Sequence, residues 1–137
     1  MHNTEKNMDE EYEKIVARYS ASYMSDSKWR KLFLAWARSG VEIRKSEWHF
    51  IDSEHTENHN LPREHDIMEK RFADGQFQPF EYKWIFEIHI PSTFRPDPNT
   101  PFEKMQDIER LKQIAAKLGK YPIYDTADGI VLRAYEK

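Results

Sequence analysis

The sequence predicts an α+β domain: a mainly antiparallel sheet of about four strands with helices packed on one face, in the order α-α-β-(α)-β-α-β-β. Three observations predict it. The run FEYKWIFEIHI places Phe80, Tyr82, Trp84, Phe86, Ile88 and Ile90 on one parity and Glu81, Lys83, Glu87 and His89 on the other, the pattern of a strand with one buried and one wet face. Apolar residues recur at helical spacing in three other stretches. The chain closes with two short β runs around an aspartate-glycine turn, and this hairpin, with helices on both sides of the first strand, favours antiparallel pairing.

Taken in order, residues 1–9 carry no apolar periodicity and read as a flexible N-terminal leader, with a single domain over 10–137. Tyr12, Ile15, Val16, Tyr19 and Tyr23 then follow helical spacing, predicting a first amphipathic helix that ends close to Met24. Ser25 to Ser27 supply capping side chains. Trp29, Leu32, Phe33 and Trp36 mark a second helix, and Gly40 is placed to end it in a left-handed conformation. Val41 to Ile51 reads as strand, although Val41 and Ile43 share one parity and Trp48 and Phe50 the other, so a bulge or turn is expected near Lys45 and Ser46.

Asp52 to Asn60 is polar and loop-like; Pro62 can open a short helix running to about Phe72, and Asp74-Gly75 turns the chain toward the Phe80 strand. Pro91 to Pro101 holds four of the seven prolines, which excludes regular helix or central strand and predicts an extended connector. Thr100-Pro101-Phe102-Glu103 resembles a capping box, and Met105, Ile108, Leu111, Ala115 and Leu118 form an apolar stripe, so the third helix is expected to start at Pro101 and end at Gly119. Tyr121 to Thr126 and Ile130 to Tyr135 complete the hairpin.

Composition narrows the function. At 137 residues the chain has room for one core. Charged residues make up 33% and the mean hydropathy is −0.91, yet aromatics are 14% of the chain; rings that each bury roughly 150 to 250 Å² make a folded, aromatic-rich core possible. A net charge of −3 gives no overall attraction to nucleic acid or to anionic membranes, so neither is expected as a partner. The absence of cysteine excludes disulfides, zinc–thiolate sites, iron–sulfur clusters and thiol nucleophiles. A polar, acidic N-terminus and the lack of any run of ~20 apolar residues lead to the expectation of a cytoplasmic protein.

Four groups of residues invite chemistry. His49, His55, His59 and His65, with Asp52 and Glu54, offer imidazole and carboxylate ligands for zinc, nickel or iron, and with them a metal-binding protein or metal-dependent hydrolase. Their order is not that of HExxH, and a solvated polar loop is the favoured reading, with metal binding the alternative. Lys28, Arg30, Lys31, Arg38, Arg44 and Lys45 alternate with Trp29 and Trp36, a mixture that can hold phosphates and stack on bases. Both tryptophans lie on the apolar stripe of their helix, however, which leaves only a solvated cationic face. Glu81, Glu87 and His89 share the wet face of the Phe80 strand, where a flat sheet provides no cleft to shift their pKa values. That face, with Ile85 as its single apolar residue, suits a protein partner better than catalysis. Phe94 and Arg95, midway along the proline-stiffened connector, are residue types that anchor interfaces. GxSxG and glycine-rich phosphate loops are absent, no cofactor is expected, and no catalytic residue is assigned.

SDSKWRKLF at Ser25 to Phe33, WHFID, DGQFQPFEYKWI at Asp74 to Ile85 and YPIYDTADGIVL together resemble an uncharacterised bacterial domain-of-unknown-function family of small single-domain α+β proteins. The resemblance covers the chain from about Ser25 onward and implies no catalytic residue, since the matching positions are of core and turn type. By analogy with small acidic proteins of bacterial toxin and phage-conflict loci, it implies an immunity- or antitoxin-like role. The expectation is therefore a small non-catalytic interaction protein that binds another protein through Ile85, Glu87, His89, Phe94 and Arg95.

Overall fold

A computed structural model describes residues 5–72 and 80–137, with side chains described for 9–71 and 80–137. The chain opens with α1 (Glu5–Val16), β1 (Ala21–Ser22) and α2 (Asp26–Ser39), followed by a β hairpin of β2 (Glu47–Phe50) and β3 (Thr56–Asn58). A 3-10 turn at Glu64–Asp66 leads to β4 (Arg71–Phe72), and β5 (Phe80–Glu81) passes through a second 3-10 turn, Tyr82–Trp84, into β6 (Ile85–Pro91). Then come β7 (Thr93–Phe94), β8 (Lys104–Met105), α3 (Ile108–Leu118), β9 (Ile123–Asp125), β10 (Gly129–Arg133) and β11 (Tyr135–Glu136). The fold is α+β. Its centre is an antiparallel sheet of five strands in the order β3-β2-β6-β10-β9, one more than expected because β3 forms within the stretch read as loop.

Local chemistry explains α2 from end to end. Ser25 Oγ accepts from the Lys28 N–H at 3.1 Å, Asp26 and Arg38 complement the helix dipole, and Gly40 closes the helix at φ 79°. Its buried stripe of Trp29, Leu32, Phe33 and Trp36 lies against the sheet, where Phe33 stacks on Trp48 at 5.8 Å between centroids. Trp36 Nε1 donates to the Leu111 carbonyl at 3.1 Å and so ties α2 to α3. Leu111 and Ala115 of α3 join the same core. Gly129 opens β10 where a Cβ would lie 2.1 Å from the Ile90 carbonyl oxygen, an approach only glycine permits.

Several expected elements differ. The first helix ends at Val16 rather than Met24, because the N–H groups of Ser20 and Tyr23 bond the carbonyls of Glu136 and Ala134, both at 2.7 Å, and β1 pairs with β11. The first strand is confined to β2: residues 41–45 leave the ladder, so the parity change near Lys45 is a departure of the chain. Pro62 to Phe72 holds a 3-10 turn and a strand in place of a helix, and Asp74-Gly75 lies outside the described residues. The third helix begins at Ile108, with Asp107 Oδ1 accepting from the Arg110 N–H at 3.0 Å. Thr100 to Glu103 instead belongs to the loop of the β7–β8 hairpin, and Met105, paired with Thr93, is 85% exposed rather than part of an apolar stripe.

The FEYKWIFEIHI run carries the most consequential correction. Glu47 faces His89, Trp48 faces Ile88 and His49 faces Glu87, but Phe50 faces Ile85. One step on β2 matches two on β6, so Phe86 is the extra residue of a bulge that turns Ile85 to the core face, while the 3-10 turn before it keeps Tyr82 and Trp84 buried as their parity predicts. Ile85, expected on the wet face as a partner-binding residue, is consequently 0% exposed in the core. Phe86 turns toward His49, 5.2 Å away, and Tyr19, 5.5 Å away.

Candidate interaction surface

The side of the sheet opposite α2 and α3 is built from the alternate residues of four strands. Glu47 and His49 come from β2, Glu87 and His89 from β6, Val131 and Arg133 from β10, and Tyr124 from β9, placed side by side by the strand registers. His89 stands between two carboxylates: Nδ1 is 3.5 Å from Glu47 Oε2, and Nε2 is 3.0 Å from Asp128 Oδ1. Asp128, in the β9–β10 turn, also accepts from Thr126 Oγ1 at 3.1 Å. The Thr126 hydroxyl first, and then His89, hold the Asp128 carboxyl below the usual carboxylate range. One row along, Arg133 Nε donates to Glu87 Oε2 at 3.0 Å. Val131 is buried on this face, and its cross-strand neighbour Tyr124 is 51% exposed.

The 91–105 segment adjoins the same sheet end. The Gln106 N–H bonds the Ser92 carbonyl at 2.7 Å, and the Ser92 N–H and hydroxyl bond the Asp128 carbonyl. Phe94 is half-buried under the Arg44 guanidinium, 5.8 Å above its ring, and Arg95 Nε lies 3.9 Å from Glu103. The expected anchors are thus engaged within the chain, whereas Phe102, 75% exposed, and Met105 present the apolar surface of this hairpin.

The four histidines scatter. His49 Nε2 contacts the Ser53 carbonyl at 2.7 Å, His55 is exposed, and His65 is exposed beside Asp66 at 3.3 Å. His59 is 6% exposed and sits edge-on to Trp48, Phe50 and Phe80 at 5.9, 6.5 and 5.5 Å. Among the described residues no group of three or more histidine, aspartate or glutamate side chains is arranged to hold a metal ion. The cationic stretch is equally dispersed: Lys28 Nζ bonds the Lys120 carbonyl at 3.1 Å and lies over the Tyr121 ring, and Trp29 and Trp36 are buried.

Beyond the end of the β2–β3 ladder lies a cleft of about 870 Å³ between the C-terminal turn of α2, residues 41–44 and the 58–66 loop. Gln106 shapes it. Its Oε1 accepts from the N–H groups of Arg44 and Lys45 at 2.8 and 2.9 Å, and its Nε2 donates to the carbonyls of Lys45 and Pro91 at 3.0 and 2.8 Å. Glu47, Asp128, Arg133 and Tyr124 on the open face, and Gln106 bonded to residues 44–45 and Pro91, escape sequence reasoning because their neighbours are set by tertiary pairing. Only Asp128 carried a signal, as half of the aspartate-glycine turn. Comparison of the chain with models of protein families, with curated proteins and with solved structures gives no match.

Proposed function

We propose that this chain is a small, cytoplasmic, non-catalytic protein-interaction domain, immunity- or antitoxin-like, of the bacterial family its sequence resembles. It binds a partner protein through the open face of the sheet and the adjoining 91–105 hairpin. The observation that supports this reading most is the cross-strand lattice Glu47–His89–Asp128 with Glu87–Arg133 beside the exposed Tyr124 ring. Side chains already fixed by neighbours lose little freedom on binding, and tyrosine and arginine are the residue types that dominate interface energies. Among the described residues no helix is long and apolar enough to cross a membrane.

The surface is redrawn from the sequence-based expectation. Glu87 and His89 remain, Ile85 leaves because it is buried, and Tyr124, Arg133, Phe102 and Met105 join; Phe94 packs under Arg44, and Arg95 pairs with Glu103 on the hairpin's exposed side. Affinity capture from native lysate of the source bacterium, followed by titration of the recovered partner, tests the reading. Tyr124→Ala and Arg133→Glu are expected to weaken that complex at least about tenfold, the loss of one anchor. A complex that both variants leave unchanged would remove the open face from consideration.

A further inference from the structure

The three helices are not held alike. α2 buries Trp29, Leu32, Phe33 and Trp36, and α3 buries Leu111 and Ala115, none of them more than 3% exposed. Along α1 no described side chain, from residue 9 to residue 16, is buried: Tyr12, Ile15 and Val16 are partly buried against the core and the others are exposed. The helix is 12 residues long, at the ~12 to 15 residues below which an isolated helix is marginal in water, so it depends on its docking to stay helical. Docking and helix formation are thus one event.

What α1 covers is aromatic. Tyr12 meets the Trp84 ring edge-on at 5.5 Å, and its hydroxyl donates at 2.8 Å to the Tyr135 hydroxyl, which itself donates to the Lys83 carbonyl at 2.6 Å. Lys83 Nζ lies 4.5 Å from the centre of the Tyr12 ring and 3.1 Å from Asp9 Oδ1. The link after α1 continues the cover, with Tyr19 packed on Phe86 at 5.5 Å and on Tyr135 at 5.3 Å. Trp84, Phe86 and Tyr135 are all buried in this arrangement. The cover has a fixed end: the Ser20 N–H bonds the Glu136 carbonyl at 2.7 Å, and β1 then pairs with β11. Lifting residues 5–19 uncovers the three rings and takes Asp9 from Lys83, while the strand ladders keep their own bonds. Phe86 also meets His49 at 5.2 Å, so the uncovered seat is continuous with the open face of the sheet.

We propose that residues 5–19 are an autoinhibitory strap: docked, they occupy an aromatic seat at one end of the open face, and released, they leave it to the partner protein of that face. The chemistry of the incoming group is set by the ligand already seated. It is an aromatic ring that reaches Trp84 and Tyr135, with a carboxylate for Lys83, as Tyr12 and Asp9 supply at helical i,i+3 spacing. The strap lowers the partner's affinity in proportion to the fraction of chains whose seat is closed. This regulation rests on the reading that the open face binds a protein; the release of the strap does not.

Amide exchange on the unaltered full chain tests the release. The amides of Tyr12, Ile15 and Val16 are expected to exchange together, at least about 100-fold faster than those of Leu32 and Phe33 in α2, yet more slowly than in a free peptide of residues 5–19. The same peptide is expected to bind the Tyr12→Ala chain at least about tenfold more tightly than the unaltered chain, whose own strap competes at high effective concentration. A peptide with alanine in place of Asp9 and Tyr12 should not bind. The Tyr12→Ala chain should also hold a partner captured through the open face at least about tenfold more tightly. Exchange of α1 as slow as that of α2 or as fast as in the free peptide, a peptide that binds both chains alike or neither, or a partner complex that Tyr12→Ala leaves unchanged would each overturn the proposal. Capture of no partner overturns the regulation together with the open-face reading, whereas exchange and the peptide decide the strap by themselves. The exchange measurement needs no variant, so it decides even if Tyr12→Ala fails to fold.

Discussion

The two faces of the central sheet are built by different forces from the same strands. On one, Trp48, Phe50, Ile88, Ile90, Ile130 and Leu132 meet α2 and α3 in a dry aromatic core where Trp48 stacks with Phe33 and Phe50. On the other, the alternate residues hold one another through ion pairs in partial contact with water. Burial scales with area removed from water, whereas exposed ion pairs are offset by hydration and screened by salt. The core face should thus carry the stability, and the open face, nearly neutral to folding, is left free to be shaped by recognition.

The largest effect should come from the core side. Trp48→Ala removes a fully buried ring with two stacked neighbours and should cost about 3 to 5 kcal/mol, read as a lowered midpoint in urea unfolding. A loss below about 1 kcal/mol would contradict the division between the faces. Next is Gln106→Ala, at the border of the two regions. It leaves the Arg44 and Lys45 N–H groups and the Lys45 and Pro91 carbonyls without their partner. One unsatisfied buried group costs about 1 to 3 kcal/mol, and water entering the new space satisfies some of the four. A total of roughly 3 kcal/mol is expected, with faster amide exchange at Arg44 and Lys45.

How much of this was legible follows the same boundary. α2 was readable in full because its signals are local: the Ser25 cap, the 29-32-33-36 stripe and Gly40 all lie within one short stretch. The strand at Phe80 was readable only in part, since its alternation identified Ile88 and Ile90 as core but a bulge is defined against a partner strand. That is why Ile85 went to the wrong face. The start of α3 was misplaced because two adjacent caps compete locally, and the outcome turns on Gln106, whose bonds reach residues about 60 positions away. His59 looked like one of several loop imidazoles; the rings that enclose it come from β2 and from Phe80. In the Glu47–His89–Asp128 set, each residue is ordinary in its own segment. Register brings the three together.

A smaller effect is expected on the open side. Glu87→Gln or Arg133→Met breaks a pair whose side chains are 24% and 47% exposed. Stability should fall by at most about 1 kcal/mol, and the difference should shrink further in high salt. A double-mutant cycle in urea isolates the pairwise energy; a coupling above about 2 kcal/mol would mean that the open face is part of the structural core after all.

The smallest effect concerns acid. Asp128 is held below the usual carboxylate range by the Thr126 hydroxyl and by His89, so the folded state binds its proton less readily than the unfolded chain. Its contribution is present above the unfolded value of about 3.9 and disappears as pH falls through the lower folded value. Asp128→Asn should therefore flatten the decline of the urea midpoint between about pH 5 and pH 2 while leaving most of it, because other carboxylates titrate in the same window. Thr126→Val, which removes the hydroxyl that donates to Asp128 but keeps the carboxylate, should flatten the same decline. If neither variant changes the slope, the polar lattice of the open face contributes nothing to folding over this range, and the contrast between the two faces becomes complete.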